Sequence, residues 1–313
     1  MVLTVTLNPV LDRVVEIRNF RAGEVNRVER ERARIAGGKG INVSRILKLF
    51  HVPNLAVGWL GGKIGKEVEK RLDEEGIAHD FVWIERESRQ NLTIVDPEKG
   101  KETHLVEKGP DISLQEREKL KKKIRYLAEK SKIVVFSGSV PRGVEKEVYF
   151  ELIILVKEVN PQILSVLDTS GVLLKNGIRA IPGLVKPNIE ELAGLSEKGF
   201  SSVEDIAEEA GQLRKKGIHM VVVSQGAGEV VAATEDGTFI LTPPAVDPLN
   251  TVGAGDAMVG GMVAALYQGK KTGEVLTLGV ATGTASVESG RERPLKIERI
   301  FDLSRRIKIR KLS

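Results

Sequence analysis

Nearly continuous runs of β-branched and aliphatic residues recur along the chain at positions 2–7, 54–58, 133–136, 163–167, 184–186 and 220–224. A strand that shows no alternation of apolar and polar positions is buried on both faces, as in a parallel sheet covered by helices. Amphipathic stretches with apolar residues three and four apart lie between these runs, at 39–50, 65–75, 113–130, 145–159 and 202–216. The alternation predicts an α/β fold: a doubly wound, mostly parallel sheet flanked by helices. Two segments break the rhythm, 12–35 and 85–106. In the second, apolar stretches at 91–95 and 102–106 flank the turn Asp96-Pro-Glu-Lys-Gly100. Both read as strands of a small antiparallel accessory sheet. Such a sheet projecting from an α/β body suits a lid that excludes water, although a decorative insertion has the same pattern.

Composition narrows the function. With 313 residues, 41% hydrophobic and 29% charged, the chain is long enough to bury a large core. No run of about 18 apolar residues occurs and the N-terminus lacks a secretory pattern, so a cytoplasmic location and no membrane partner are expected. Cysteine is absent, and His51, His79, His104 and His219 fall at no ligand spacing, which argues against a structural zinc site. The net charge of +5 is matched by Arg305, Arg306, Lys308, Arg310 and Lys311, so the rest of the chain sums to zero. A solvated C-terminal tail is the expectation there. With aromatic content at 4%, stacking platforms for nucleic acid are few, and no nucleic-acid partner is expected.

Four elements, three of them glycine-rich, carry candidate chemistry. Asn250-Thr-Val-Gly-Ala-Gly-Asp256 precedes a small-residue helix at 257–266. Gly253 and Gly255 let the backbone approach a ligand, and the free amides of a helix's first turn favour an anion. A carboxylate beside an anion site is badly chosen for holding phosphate but well chosen for taking a proton from an attacking hydroxyl, so Asp256 is a candidate base. An N-cap role has the same local signature. Gly37-Gly-Lys-Gly40, followed by Ile41-Asn-Val-Ser44, is neither a Walker A loop nor a dinucleotide fingerprint, because position 43 is valine. Its amides, with Lys39 and Asn42, suit a polyhydroxylated substrate. Val221-Val-Val-Ser-Gln-Gly-Ala-Gly228 is a buried strand ending in a glycine turn, where an open parallel sheet contacts ligands such as nucleotide phosphates. In Lys186-Pro-Asn-Ile-Glu-Glu191, Asn188 and Glu191 are three apart and suit magnesium held through water. Smaller turns of the same kind are Ser137-Gly-Ser-Val-Pro141 and Asp168-Thr-Ser-Gly171.

These elements, with Asn8-Pro-Val-Leu-Asp12 and Leu60-Gly-Gly-Lys-Ile-Gly65, stand in one order along essentially the whole chain. The set resembles the phosphofructokinase-B (PfkB) branch of the ribokinase-like carbohydrate kinases. The resemblance implies an α/β domain with a β-sheet lid shared across a homodimer, ATP with Mg²⁺, and catalysis by Asp256 with an anion hole at Gly253, Ala254 and Gly255. It further implies Asp12, Gly37, Gly38, Asn42 and Ser139 at the sugar. Lys186, Asn188, Ser224, Gln225, Gly226, Ala227, Gly228 and Gly283 are expected at the nucleotide, and Glu191 at the metal. The corresponding division is 1–11, 36–84 and 107–313 for the α/β body and 12–35 with 85–106 for the lid.

Gly23-Glu-Val-Asn-Arg27 and the Gly-Gly-Lys-Gly form are similar to 1-phosphofructokinases, and Glu107-Lys-Gly-Pro110 to tagatose-6-phosphate kinases. Arg89-Gln-Asn-Leu92 departs from the 1-phosphofructokinase pattern toward the fructose-6-phosphate kinases. All three use a phosphorylated sugar substrate, so the expected reaction converts fructose 1-phosphate to fructose 1,6-bisphosphate. Arg27, Lys39 and Arg89 are candidate grips for the sugar phosphate, since a guanidinium binds phosphate bidentately. Each is equally readable as a surface charge. A nicotinamide-dependent oxidoreductase is disfavoured by the missing fingerprint after the first strand. A sugar-phosphate-sensing protein descended from a kinase is disfavoured by the intact Gly253, Gly255 and Asp256.

Overall fold

The computed structural model describes residues 1–196, 198–290 and 294–312. Its strands, in chain order, are β1 Val2–Thr6, β2 Val10–Glu16, β3 Arg30–Gly37, β4 Asn54–Gly61, β5 Val82–Ile84, β6 Arg89–Asp96, β7 Lys101–Leu105, β8 Ile133–Ser137, β9 Leu164–Asp168, β10 Leu184–Val185, β11 Met220–Val223, β12 Val230–Thr234, β13 Gly237–Thr242 and β14 Lys308–Lys311. The helices are α1 Lys39–Leu49, α2 Gly62–Glu74, α3 Leu114–Ala128, α4 Val148–Val159, α5 Gly171–Gly177, α6 Ile189–Ser196, α7 Val203–Lys215, α8 Ala254–Tyr267, α9 Thr272–Ser289 and α10 Ile297–Arg306.

One sheet runs in the order β14-β13-β12-β11-β10-β9-β8-β1-β4-β5. From β11 through β5 every pairing is parallel, whereas β12, β13 and β14 add antiparallel strands at one end. The parallel strands are apolar on both faces because both faces are covered. Leu3 and Val5 of β1 face a core built with α3 to α7, and Val2 faces the core of α1, α8, α9 and α10. Thr4, also buried, shares a 2.6 Å hydrogen bond with Ser44 of α1.

The α8 helix is buried from Asp256 to Ala265. Its small residues bring helix axes together: a Cβ at Gly260 would stand 2.5 Å from Cβ of Ile46 on α1. This packing fixes the two helix starts that carry Asn42 and Asp256.

The second sheet has the order β3-β2-β6-β7. Its outer pairings are antiparallel as expected, but the central β2–β6 pair is parallel. The chain leaves the body on β2, returns on β3, and leaves again on β6 only after α1, β4, α2 and β5. Two outgoing strands laid side by side must run the same way. The lid strands also reach further into the body than 12–35, since Val10 pairs with Gly37 and Leu11 with Ala36.

The C-terminal basic segment is not a free tail. Residues Lys308–Lys311 form β14 along the edge strand β13, and all four remain exposed. Buried Ile307 anchors the segment, while lysine and arginine keep the sheet edge solvated.

Candidate active site

Strand order reverses at β1, which lies between β8 and β4, and open α/β sheets bind ligands at the carboxyl ends of the strands beside such a reversal. Polar groups gather there. Thr6 ends β1, Ser137 ends β8 and Asp168 ends β9, and the buried Thr6 Oγ1 and Ser137 Oγ have no hydrogen-bond partner within the chain. Buried polar atoms are normally paired, so two orphans at one end of the sheet mark a place built for a ligand or ordered water.

Asp256, only 5% exposed, sits in the first turn of α8. Its Oδ2 accepts a 2.7 Å hydrogen bond from Asn42 Nδ2, and its Oδ1 lies 3.5 Å from Lys39 Nζ. Burial pushes the Asp256 carboxyl above the usual carboxylate range. The Lys39 ammonium opposes that rise and the nearby Asp168 charge adds to it. Lys39 donates to Asp168 Oδ2 at 2.9 Å, and Lys186 Nζ stands 3.4 Å from Asp168 Oδ1. Burial works to raise the Asp168 carboxyl too, but two ammoniums outweigh it and hold it below the ordinary value. Lys39, itself opposed by burial, is kept charged by Asp168 and Asp256. Two carboxylates and two ammoniums thus alternate across the base of the site, and their unequal surroundings move the two carboxyls in opposite directions.

The helix start supplies an anion cradle. Gly253 caps α8 at φ 88°, a left-handed conformation that glycine adopts without strain, and a Cβ at Gly255 would meet Lys186 Nζ at 3.2 Å. The amides of Gly255 and Asp256 belong to the first turn, where no intrahelical carbonyl is available. The approach to the cradle is fixed from behind: Leu249 and Asn250 donate to Val287 O of α9, and Val252 N donates to Asn250 Oδ1 at 2.7 Å.

A cleft of about 470 Å³ opens between the lid roots and α8, within the range of small-molecule sites. Asp12, Asn42 and Gly253 line it. Asp12 on β2 accepts from Asn91 Nδ2 on β6 at 2.9 Å, and Gly37 leaves room beside it, since a Cβ there would stand 2.6 Å from Asp12 Oδ2. Gly38 precedes α1 against Thr6. Ser139, exposed, accepts from Asn8 Nδ2 at 3.2 Å.

The nucleotide-side elements are adjacent. Ile189 N donates to Ser224 O at 3.0 Å and Ser224 N to Pro187 O at 3.1 Å, so the turns after β10 and β11 lie side by side. Gly226, Ala227 and Gly228 are exposed, and Gln225 closes their turn by donating to Glu229 O. Asn188 and Glu191 hydrogen-bond each other at the start of α6, at 2.7 and 2.9 Å. Among the described residues no group of three or more His, Cys, Asp or Glu side chains could hold a metal ion. The oxygen donors at this helix start, Glu191 and Asn188, are of the kind that magnesium takes.

Several expected residues lie elsewhere or are otherwise engaged. Gly283, buried in α9, sets the spacing to α8, since a Cβ there would stand 3.2 Å from Ala254 O and 3.3 Å from Met258 Cβ. Arg27 is in an exposed lid loop and does not line the cleft. Arg89 donates to Asn8 O at 2.9 and 3.2 Å and to Glu107 O at 3.0 Å, which ties the root of β6 to the segment after β1. Lys39 is bound between two carboxylates. The sequence reading missed Arg45 and Glu75, which also line the cleft. Arg45 follows Asn42 by one helical turn and could have been noticed; Glu75, thirty residues further on, gave no signal.

Residues 5–296 match the family described as pfkB family carbohydrate kinase. The chain is 34% identical over 291 residues to a 1-phosphofructokinase of Borreliella burgdorferi, covering 93% of this chain and 92% of that one. Two solved structures show the same fold at lower identity. A possible 1-phosphofructokinase from Thermotoga maritima is 28% identical, with a TM-score of 0.89 over 100% of both chains. Phosphofructokinase-2 from Escherichia coli in complex with fructose-6-phosphate is 27% identical, with a TM-score of 0.88 over 97% of this chain and 98% of that one. The matched span covers the whole constellation from Asp12 to Asp256, and the chain therefore belongs to the PfkB family of carbohydrate kinases, phosphotransferases that act on an alcohol group.

Proposed function

We propose that the protein transfers the γ-phosphoryl group of ATP to fructose 1-phosphate, giving fructose 1,6-bisphosphate and ADP. The observation that carries this reading is the buried Asp256 carboxyl, raised above the ordinary carboxylate range, at the end of a cleft and beside the free amides of a helix N-terminus. The similarity to a 1-phosphofructokinase at 34% identity supports the choice of sugar.

Asn42 holds Asp256 Oδ2, so Oδ1 is the atom that accepts a hydrogen bond from the acceptor hydroxyl. As the new P–O bond forms and the bond to the bridging β–γ oxygen breaks, Oδ1 takes the proton and ADP leaves. Phosphoryl transfer is largely dissociative, so the carboxylate chiefly orients the hydroxyl and receives the proton late. The first-turn amides of α8 and the ammoniums of Lys39 and Lys186 are placed to stabilise charge on the transferring group. Magnesium on the nucleotide would neutralise phosphate charge, with Glu191 and Asn188 as its neighbours on the protein. Four exposed apolar residues on or at the base of the lid, Val25, Val28, Leu105 and Val106, support association of two chains through it.

A second reading, a fructose-6-phosphate or tagatose-6-phosphate kinase, is favoured by Arg89-Gln-Asn-Leu92. The test is ADP release with ATP and Mg²⁺ across fructose 1-phosphate, fructose 6-phosphate, tagatose 6-phosphate and fructose, ranked by kcat/KM. Fructose 1-phosphate should lead, and Asp256→Asn should lower its kcat by about 10²-fold or more. A leading 6-phosphate replaces the sugar and keeps the base, whereas full turnover by Asp256→Asn removes the base.

A further inference from the structure

The Asn42 amide that bonds Asp256 is itself held from behind. Arg45, one helical turn later on α1, donates from Nη1 to Asn42 Oδ1 at 2.8 Å. The same guanidinium donates to Glu75 from Nε at 2.5 Å and from Nη2 at 2.8 Å, and Nη2 also bonds Ala36 O at the end of lid strand β3. Glu75 closes α2, so three elements, α1, α2 and β3, meet at one planar cation. Nothing in this arrangement touches the reacting atoms, yet Arg45 and Glu75 line the cleft.

We infer that Arg45, fixed by the bidentate grip of Glu75, is a positioning residue that locks the Asn42 amide with its NH₂ toward Asp256, reserving Asp256 Oδ1 for the substrate hydroxyl. The inference rests on the reading of Asp256 as the base. An amide has a donor end and an acceptor end, and which end faces a carboxylate is decided by the amide's other partner. A guanidinium has donors only, so it claims Asn42 Oδ1 and leaves Nδ2 to face Asp256. Turned around, the amide would set its oxygen against the carboxylate. Because the third arm of Arg45 holds Ala36, the root of the lid and the orientation of the base share one anchor.

The sign of the effect follows. Donation from Asn42 favours the ionised carboxylate. Releasing the amide weakens that donation, so protonation of Asp256 moves to higher pH and the acid limb of the kcat profile moves with it. The other charges facing Asp256 are Lys39 from α1, Asp168 from the end of β9 and Lys186 after β10, and none contacts Arg45.

The experiment is the pH dependence of kcat for wild type, Arg45→Gln and Glu75→Gln at saturating sugar phosphate, with thermal melts to confirm folding. A hydrogen bond to a charged group corresponds to a shift of about one pH unit. Positioning requires the acid limb to rise in both variants, with kcat recovering toward wild type at high pH. A purely electrostatic influence of Arg45 gives opposite signs, because Glu75→Gln leaves the cation uncompensated and lowers the limb. An unmoved limb in Arg45→Gln, or a lowered or unmoved limb in Glu75→Gln, overturns the inference. If the wild type phosphorylates none of the sugars, the proposed reaction fails, and a ¹³C titration of the Asp256 carboxyl in the same three proteins still decides the positioning role.

Discussion

Asp168 and Asp256 are buried alike, and their neighbours send them in opposite directions. Two ammoniums flank Asp168, so its folded value lies below the ordinary aspartate value of 3.8. A carboxyl lowered on folding contributes stability that is fully present above its unfolded value and is lost as pH falls through the folded one. Replacing Asp168 by Asn takes the paired carboxylate from Lys186 and leaves Lys39 with Asp256 alone, and should cost about 3 kcal/mol at neutral pH. Denaturant titrations of both proteins at pH 7 and at successive values below 3.8 check this, because the gap should narrow only in the acid range. A gap independent of pH would mean that the loss is one of packing. Asp256 obeys the reverse rule: burial raises it, so the folded state favours its protonated form, and ionised Asp256 at neutral pH is held at a cost to stability.

Helix starts place Asp256, Asn42 and the first-turn amides, and their relative positions depend on how closely α8 lies on α1. Gly260 makes that approach possible. Gly260→Ala would put a Cβ 2.5 Å from Cβ and 2.7 Å from Cγ2 of Ile46, which forces the helices apart and should cost about 1–3 kcal/mol. Since Asn42 rides on α1 and Asp256 on α8, kcat should fall together with the melting temperature. Pairing the change with Ile46→Ala, which removes the γ carbons at 2.7 and 3.0 Å, should cost less than the sum of the two single losses, and additive losses in the double variant would show that the two positions are not coupled. The lid carries an element-scale lesson as well. Its strands were recognisable by residue type, but the parallel β2–β6 pairing comes from the chain leaving the body twice in the same direction.

Across the whole molecule, the lid roots and the catalytic helix starts border one cleft, while the lid exposes apolar residues to solvent. Val25 is 93% exposed and Val106 67%. If two chains associate through the lid, sedimentation should give twice the chain mass of 34.2 kDa. Val25→Asp combined with Val106→Asp should then return the protein to the chain mass and raise KM for the sugar phosphate. A wild type that sediments as a single chain, or a variant still paired, would rule out lid association. The described residues contain no helix long and apolar enough to cross a membrane.

The apolar runs at 2–7, 133–136 and 163–167 determined a parallel sheet because their burial on both faces is written in residue type, and Gly253, Gly255 and Asp256 were readable because a helix start is a local structure. Of the residues in the ordered motifs, Asp12, Asn42 and Gly253 line one cleft. What tertiary structure alone decided is how distant charges combine. Lys39, Asp168, Lys186 and Asp256 become one network only when the ends of β9, β10 and two helices converge, which no spacing encodes. Arg89 meets the backbone carbonyls of Asn8 and Glu107, because residue type fixes what a group can bond but not what folding brings to it. The Glu75–Arg45–Asn42–Asp256 chain is the clearest case. Its local link, Asn42 to Arg45, lies within one helical turn, while both ends are joined across elements by packing.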